Sequence, residues 1–156
     1  MIKTNAMRIL DKMNIEYDVI TYDIKDNKID GISVAKKIGR DKEYVYKTLV
    51  THGISKNIYI LVIPVSEEID FKKAAKVTNE KNIEMLDLKD LQKYTGYIRG
   101  GCSPLGMKKQ YKTFIDKSAL EIQTIIVSGG KIGFQIEVNV NSLKDIVAGE
   151  FTDLIK

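Results

Sequence analysis

Along this chain the hydrophobic pattern switches between a helical and an alternating period, and the switches mark the elements. After Thr4, a capping residue, Ala6, Ile9, Leu10 and Met13 recur at helical spacing and predict a first helix with one apolar face. Residues 17–22 alternate, with Tyr17, Val19 and Thr21 on one side and Asp18, Ile20 and Tyr22 on the other, as a strand does. Residues 23–30 are polar and read as a loop. Residues 32–38 form a short helix stopped by Gly39, and Asp41 caps a further turn. Two strands follow at 44–51 and 58–63. The second is apolar on both faces, as in the middle of a sheet.

Further on, Asp70 caps a helix that runs to Val77, and residues 84–86 make a short strand. Asp87 opens a helix that Gly96 closes. Strands are expected at 113–115, 122–127 and 132–140, with Gly129-Gly130 as a two-residue hairpin turn before the last. Residues 142–147 form a final helix, and 151–155 add a strand or a helical turn. Strands and helices intermix without strict alternation, which predicts an α+β fold: a mixed sheet with helices packed around it.

The composition narrows the class. The 156 residues fit one domain, 1–156, with a single core of ordinary size. No repeat, low-complexity tract or linker divides them. Apolar residues at 44% and charged residues at 29% describe a globular chain. No apolar run approaches the ~20 residues of a membrane span. Lys3 and Arg8 sit on an amphipathic pattern unlike a signal peptide. A single cysteine excludes an internal disulfide and suits a reducing cytoplasm, and one cysteine with one histidine is too few soft ligands for zinc. The net charge of +4 is compatible with a nucleic-acid partner, and 22 of the 25 cations are lysines, which favours backbone contact over base reading.

The densest stretch is Tyr97-Ile98-Arg99-Gly100-Gly101-Cys102-Ser103-Pro104-Leu105-Gly106-Met107. Two adjacent glycines let the backbone approach a carbonyl or phosphate, and Ser103 adds a donor and acceptor. A plain turn is the simpler reading of such a cluster. The cations Arg99, Lys108 and Lys109 around it point beyond a turn. Cys102 is the obvious nucleophile to suspect. A reactive thiolate needs a base and an electropositive setting, and His52, the single histidine, lies on another segment without an obvious carboxylate partner. Cys102 therefore reads as a small loop residue. Ser103 lacks the Gly-x-Ser-x-Gly elbow, and Gly130-Lys131 lacks the Ser or Thr of a P-loop.

Lys47 is the most informative single residue. On its strand it shares a face with Val45 and Leu49, while Tyr46, Thr48 and Val50 share the other. A lysine among core-type residues is an edge guard, a snorkelling side chain or a partly buried ammonium with a function. The apolar strand beside it argues against an edge.

Three stretches together resemble the YbaK-type aminoacyl-tRNA deacylases, free-standing relatives of the editing domain inserted in bacterial prolyl-tRNA synthetase. They are Tyr46-Lys47-Thr48-Leu49, Arg99-Gly100-Gly101-x-Ser103-Pro104-x-Gly106 and Ser128-Gly129-Gly130-Lys131-x-Gly133, and the resemblance runs in order over the whole chain. It implies a mostly antiparallel, barrel-like sheet surrounded by helices. It implies Lys47 and Gly101 as catalytic residues, with Tyr22, Arg99, Gly100, Ser103 and Ser128 binding substrate. One branch of the family has an aspartate where this chain has Gln135, so Gln135 is not carried over as catalytic.

The implied activity is trans-editing of misacylated tRNA, with Cys-tRNA(Pro) first among substrates. No cofactor or metal is implied. Misacylated tRNA(Pro) is the implied partner and prolyl-tRNA synthetase a second candidate. The absence of a convincing nucleophile–base pair fits a route in which the cysteinyl thiol attacks its own ester. The alternatives are an alanyl or seryl ester as substrate, and a non-catalytic module that binds tRNA or a synthetase.

Overall fold

The computed structural model describes residues 2–156. Helix α1 (Asn5–Lys12) starts where Thr4 caps it, the Thr4 Oγ1 accepting the Met7 N–H at 3.2 Å. Its buried face is Ala6, Met7 and Leu10, with Ile9 packed beside them. Met13 lies past the last turn and is 55% exposed, so Met7 replaces it on the expected apolar stripe. Strand β1 (Tyr17–Thr21) follows, then the irregular segment 22–30. Helix α2 (Gly31–Ile38) is capped by Asp30 and ended by Gly39 in the left-handed conformation. A single 3₁₀ turn (Lys42–Tyr44), capped by Asp41, displaces the start of the next strand from Tyr44 to Tyr46.

Strands β2 (Tyr46–Gly53) and β3 (Ile58–Pro64) pair antiparallel, with Lys47 opposite Ile63. Helix α3 (Phe71–Thr78), β4 (Ile83–Met85), α4 (Leu88–Thr95) and β5 (Lys112–Asp116) come next. Asp70 caps α3, and Asn79 and Gly96 end α3 and α4 in the left-handed region. A 3₁₀ turn (Lys117–Glu121) precedes the expected 122–127 strand, whose first two residues, Ile122 and Gln123, are irregular, so the strand begins only at Thr124. Strands β6 (Thr124–Ser128) and β7 (Phe134–Asn139), α5 (Val140–Ile146) and β8 (Glu150–Thr152) complete the chain.

The mixed sheet is present as two sheets. One is antiparallel, in the order β1-β7-β6. The other runs β4-β2-β3-β5-β8, with β3/β5 and β5/β8 parallel. A parallel bridge between Val45 and Ile126 joins them. Central β3 is buried from Tyr59 to Pro64 because both its faces are covered. Ala6, Met7, Leu10, Ile125, Ile136 and Leu143 meet in the main core cluster, and Leu61, Ile63 and Phe114 meet Ala74 of α3 in a second. Each fully buried Leu or Ile contributes roughly 1.5–3 kcal/mol of transfer free energy. No helix among the described residues is long and apolar enough to cross a membrane.

The β6–β7 hairpin departs from the two-residue turn expected of Gly129-Gly130. Its loop spans five residues, 129–133, with Gly130 at φ 95° and Gly133 at φ 98°. The Gly129 N–H donates to Phe134 O at 2.8 Å, and Thr4 Oγ1 donates to Gly129 O at 2.5 Å. Of the three extra residues, Lys131 and Ile132 pack against Gly101.

Candidate functional site

The second edge of β2 is where the site forms. At one end Val45 bridges to β6; at the other β4 pairs with Thr51–Gly53 and Leu86 N–H reaches Val50 O. Residues 47–49 between these ends have no strand beside them on that edge. In an antiparallel pair alternate residues bond to the same neighbour. Val65 N–H donates to Val45 O and Gly53 N–H to Asn57 O, so the odd-numbered residues face β3 and the N–H and C=O of Thr48 point into the gap. A cavity of about 870 Å³ opens there.

Four of the seven residues expected to act line this cavity: Lys47, Arg99, Gly100 and Ser128. They come from β2, from the loop after α4 and from the end of β6, which are far apart in the chain. Lys47 makes no ion pair among the described residues, and neither does Arg99. Ser128 stands directly across the strand pair from Gln135, which is 6% exposed and also lines the cavity. Met85, Leu86, Leu88 and Leu91, on and around β4 and α4, supply an apolar wall.

The other three do not line it. Gly101 is buried against the 129–133 loop: a Cβ there would lie 3.0 Å from Ile132 N and 3.1 Å from Lys131 Cα. Its N–H donates to Ile98 O at 3.0 Å. Ser103 is fully buried, and its Oγ accepts the Leu105 N–H at 3.2 Å, fixing the Ser-Pro-Leu turn. The Tyr97 hydroxyl holds the same turn by donating to Leu105 O at 2.6 Å. Tyr22 lies just past the end of β1, its N–H donating to Gly133 O at 3.0 Å and its hydroxyl buried without a partner among the described residues.

Cys102 does line the cavity. Burial pushes its thiol up to about 12, opposed by a hydrogen bond with Thr95. At neutral pH it is a thiol, which agrees with its reading as a loop residue rather than a nucleophile. His52 has a carboxylate partner that the sequence did not reveal: Glu84 Oε2 lies 3.8 Å from Nε2, across the β2–β4 pair. Neither residue reaches the cavity.

Sequence reasoning missed Thr48, Asn27 and Asp30. Thr48 lines the cavity, and its Oγ1 is buried without a partner among the described residues. A buried hydroxyl is normally paired, so this one is available to a ligand or a water. Asn27 and Asp30 belong to the segment before α2 and also line the cavity. Nothing in the pattern of that segment shows which of its polar residues face inward. The assembled cavity presents two cations, one carboxylate, several neutral polar groups and an apolar wall. Such a lining can grip a phosphate or ribose at one end and a small acyl group at the other.

A sequence model described as "aminoacyl-tRNA editing domain" matches residues 30–146. The chain is 42% identical over 152 residues to a candidate Cys-tRNA(Pro)/Cys-tRNA(Cys) deacylase, EbsC, of Enterococcus faecalis, a match spanning 97% of this chain and 93% of that one. It is 31% identical over 113 residues to a proline–tRNA ligase of Brachyspira hyodysenteriae, covering 70% of this chain but 18% of the ligase. Among solved structures, a candidate trans-editing enzyme for prolyl-tRNA synthetase superposes with a TM-score of 0.83 at 16% identity, over 100% of this chain and 99% of that one.

Proposed function

Because the chain belongs to the aminoacyl-tRNA editing domain family, we propose that it is a trans-editing deacylase whose substrate is Cys-tRNA(Pro), acting in the cytoplasm. The observation that carries this reading is the cavity at the open edge of β2, where Lys47 and Arg99 stand without anionic partners beside an apolar wall. A tRNA 3′ end needs cations for its phosphate and a small, dry compartment for its acyl group.

Lys47 holds the terminal phosphate or ribose beside the ester, and Arg99 adds a second contact at the mouth. Gly100 and Cys102 line the cavity, and their N–H groups make no hydrogen bond among the described residues. They are the available donors for the carbonyl oxygen as it gains charge. Gly101, with its own N–H committed to Ile98, supports their loop from behind. Ser128 contacts the acyl group, and Tyr22 and Ser103 hold the walls in place.

No residue of the lining forms a nucleophile–base pair, so the substrate provides the nucleophile. The cysteinyl sulfur attacks its own carbonyl carbon, the ester C–O bond breaks, and the thiol proton passes to the departing ribose oxygen. The products are free tRNA and a cyclic thiolactone, which water opens to cysteine. The protein supplies orientation and exclusion of bulk water.

The test is release of labelled amino acid from Cys-tRNA(Pro) compared with alanyl and seryl esters of the same tRNA. The cysteinyl ester should turn over fastest, since neither competitor carries a thiol. Inertness on the cysteinyl ester at enzyme excess would eliminate the proposal. Faster turnover of alanyl or seryl ester would move the substrate to that amino acid. The same assay with prolyl-tRNA synthetase added shows whether the synthetase delivers the substrate.

A further inference from the structure

Asp30 is the only carboxylate among the described residues that line the cavity. It caps α2, Oδ2 accepting the Ser33 N–H at 3.1 Å and Oδ1 the Ser33 hydroxyl at 2.6 Å. Those bonds from Ser33 hold its carboxyl below the usual carboxylate range, so it is ionised at neutral pH. A carboxylate accepts about four hydrogen bonds, so roughly half its capacity remains. Lys47 and Arg99 line the same cavity, and neither lies within ion-pair distance of it.

Asp30 ends a segment, 22–30, that has no helix or strand, yet the segment is fixed from two sides. Lys37 of α2 reaches back across it, its Nζ donating to Asp23 O at 2.7 Å, Asp26 Oδ1 at 2.7 Å and Lys28 O at 2.8 Å. An ammonium has three donors, and all are used. The Lys37 side chain is 19% exposed, although its partner Asp26 is 45% exposed, so the clamp lies at the surface and holds by geometry. On the far side Ile29 packs onto Gly100.

We propose that Asp30 binds the α-ammonium group of the aminoacyl ester, and that Lys37 is the positioning residue that keeps it there. The inference rests on the deacylase reading above. An aminoacyl ester carries a positive charge next to its carbonyl, and a cavity holding two cations would repel it unless a carboxylate stood opposite. An ester whose amine is acylated carries no such charge. The Asp30 carboxylate therefore selects a free aminoacyl group over an N-acylated one.

The test uses 3′-cysteinylamino-3′-deoxyadenosine, in which an amide replaces the scissile ester, with its α-amine free or acetylated, titrated calorimetrically into the full chain. The intact protein should bind the free amine at least tenfold more tightly than the acetylated form. Asp30→Asn removes the charge while keeping a residue that caps helices as well as aspartate does. In this variant the preference should fall to within twofold, with the melting temperature lowered by no more than a few degrees. Lys37→Met should weaken free-amine binding several-fold and speed amide exchange in residues 23–30 alone.

Equal binding of both forms by the intact protein, no binding of either, or a preference that survives Asp30→Asn would overturn the assignment. None of these readouts requires turnover. A protein that shows the Asp30-dependent preference but does not deacylate Cys-tRNA(Pro) loses the catalytic reading and keeps this one.

Discussion

Ile29 packs over Gly100: a Cβ built on this glycine would stand 2.7 Å from the terminal Ile29 Cδ1, which would have to swing aside. The glycine also sits at φ 85°, a conformation that side chains rarely adopt. Gly100→Ala should therefore destabilise the protein by about 1–3 kcal/mol and lower deacylation. The double variant with Ile29→Ala should recover the part due to the collision and leave the part due to φ. Thermal denaturation of the single and double variants separates the two, and full additivity would mean that the contact is unimportant.

Lys47→Met keeps the stem of the side chain and removes its charge. The expected result is a loss of deacylation on the order of a hundredfold or more, with an unchanged melting temperature because Lys47 has no ion pair to lose among the described residues. Substantial turnover by the purified variant would remove Lys47 from the site.

The Cys102 thiol, pushed up to about 12 by burial, should be slow towards iodoacetamide at pH 8 and react readily only as the pH approaches that value. Cys102→Ala should retain most of the deacylase activity. An enzyme inactivated by that change would make the thiol a participant.

Arg40 grips Glu137 in a two-pronged pair, with Nη1–Oε1 at 2.6 Å and Nη2–Oε2 at 2.7 Å, and Thr124 donates a third bond to the same carboxylate at 2.7 Å. Arg40 and then Thr124 hold the Glu137 carboxyl below its ordinary value against burial. A carboxyl lowered by folding adds stability above its unfolded pKa of about 4.3, and that stability disappears as the pH falls through the folded value. Glu137→Gln should cost about 2 kcal/mol at pH 7. The difference from the intact protein should shrink in urea titrations taken below pH 4. A difference independent of pH would show that the bonds matter and the charge does not.

Local rules made much of this fold legible in the sequence. Thr4, Asp70, Gly39 and Gly96 mark helix ends because capping acts within a few residues. The unbroken apolar run of β3 announced a strand covered on both faces. Lys47 was visible because a lysine between Val45 and Leu49 breaks the pattern around it.

What escaped depends on neighbours distant in the chain. Met7 and Met13 both fit an apolar stripe, and only the position of the sheets buries one and exposes the other. The 129–133 loop packs against Gly101, a partner that no turn rule includes. Thr48 and Asp30 acquire their roles from the strand order, which leaves one stretch of β2 without a neighbour.

That unpaired stretch has a further effect. A bare strand border ordinarily invites a foreign polypeptide to zip alongside and so seeds aggregation. Here residues of the 22–30 segment, α4 and the glycine loop line the cavity along it, so less of that border is open to an incoming strand. The residues that line the cavity also cover this border, and substitutions that strip them from it should promote self-association as well as slow the chemistry.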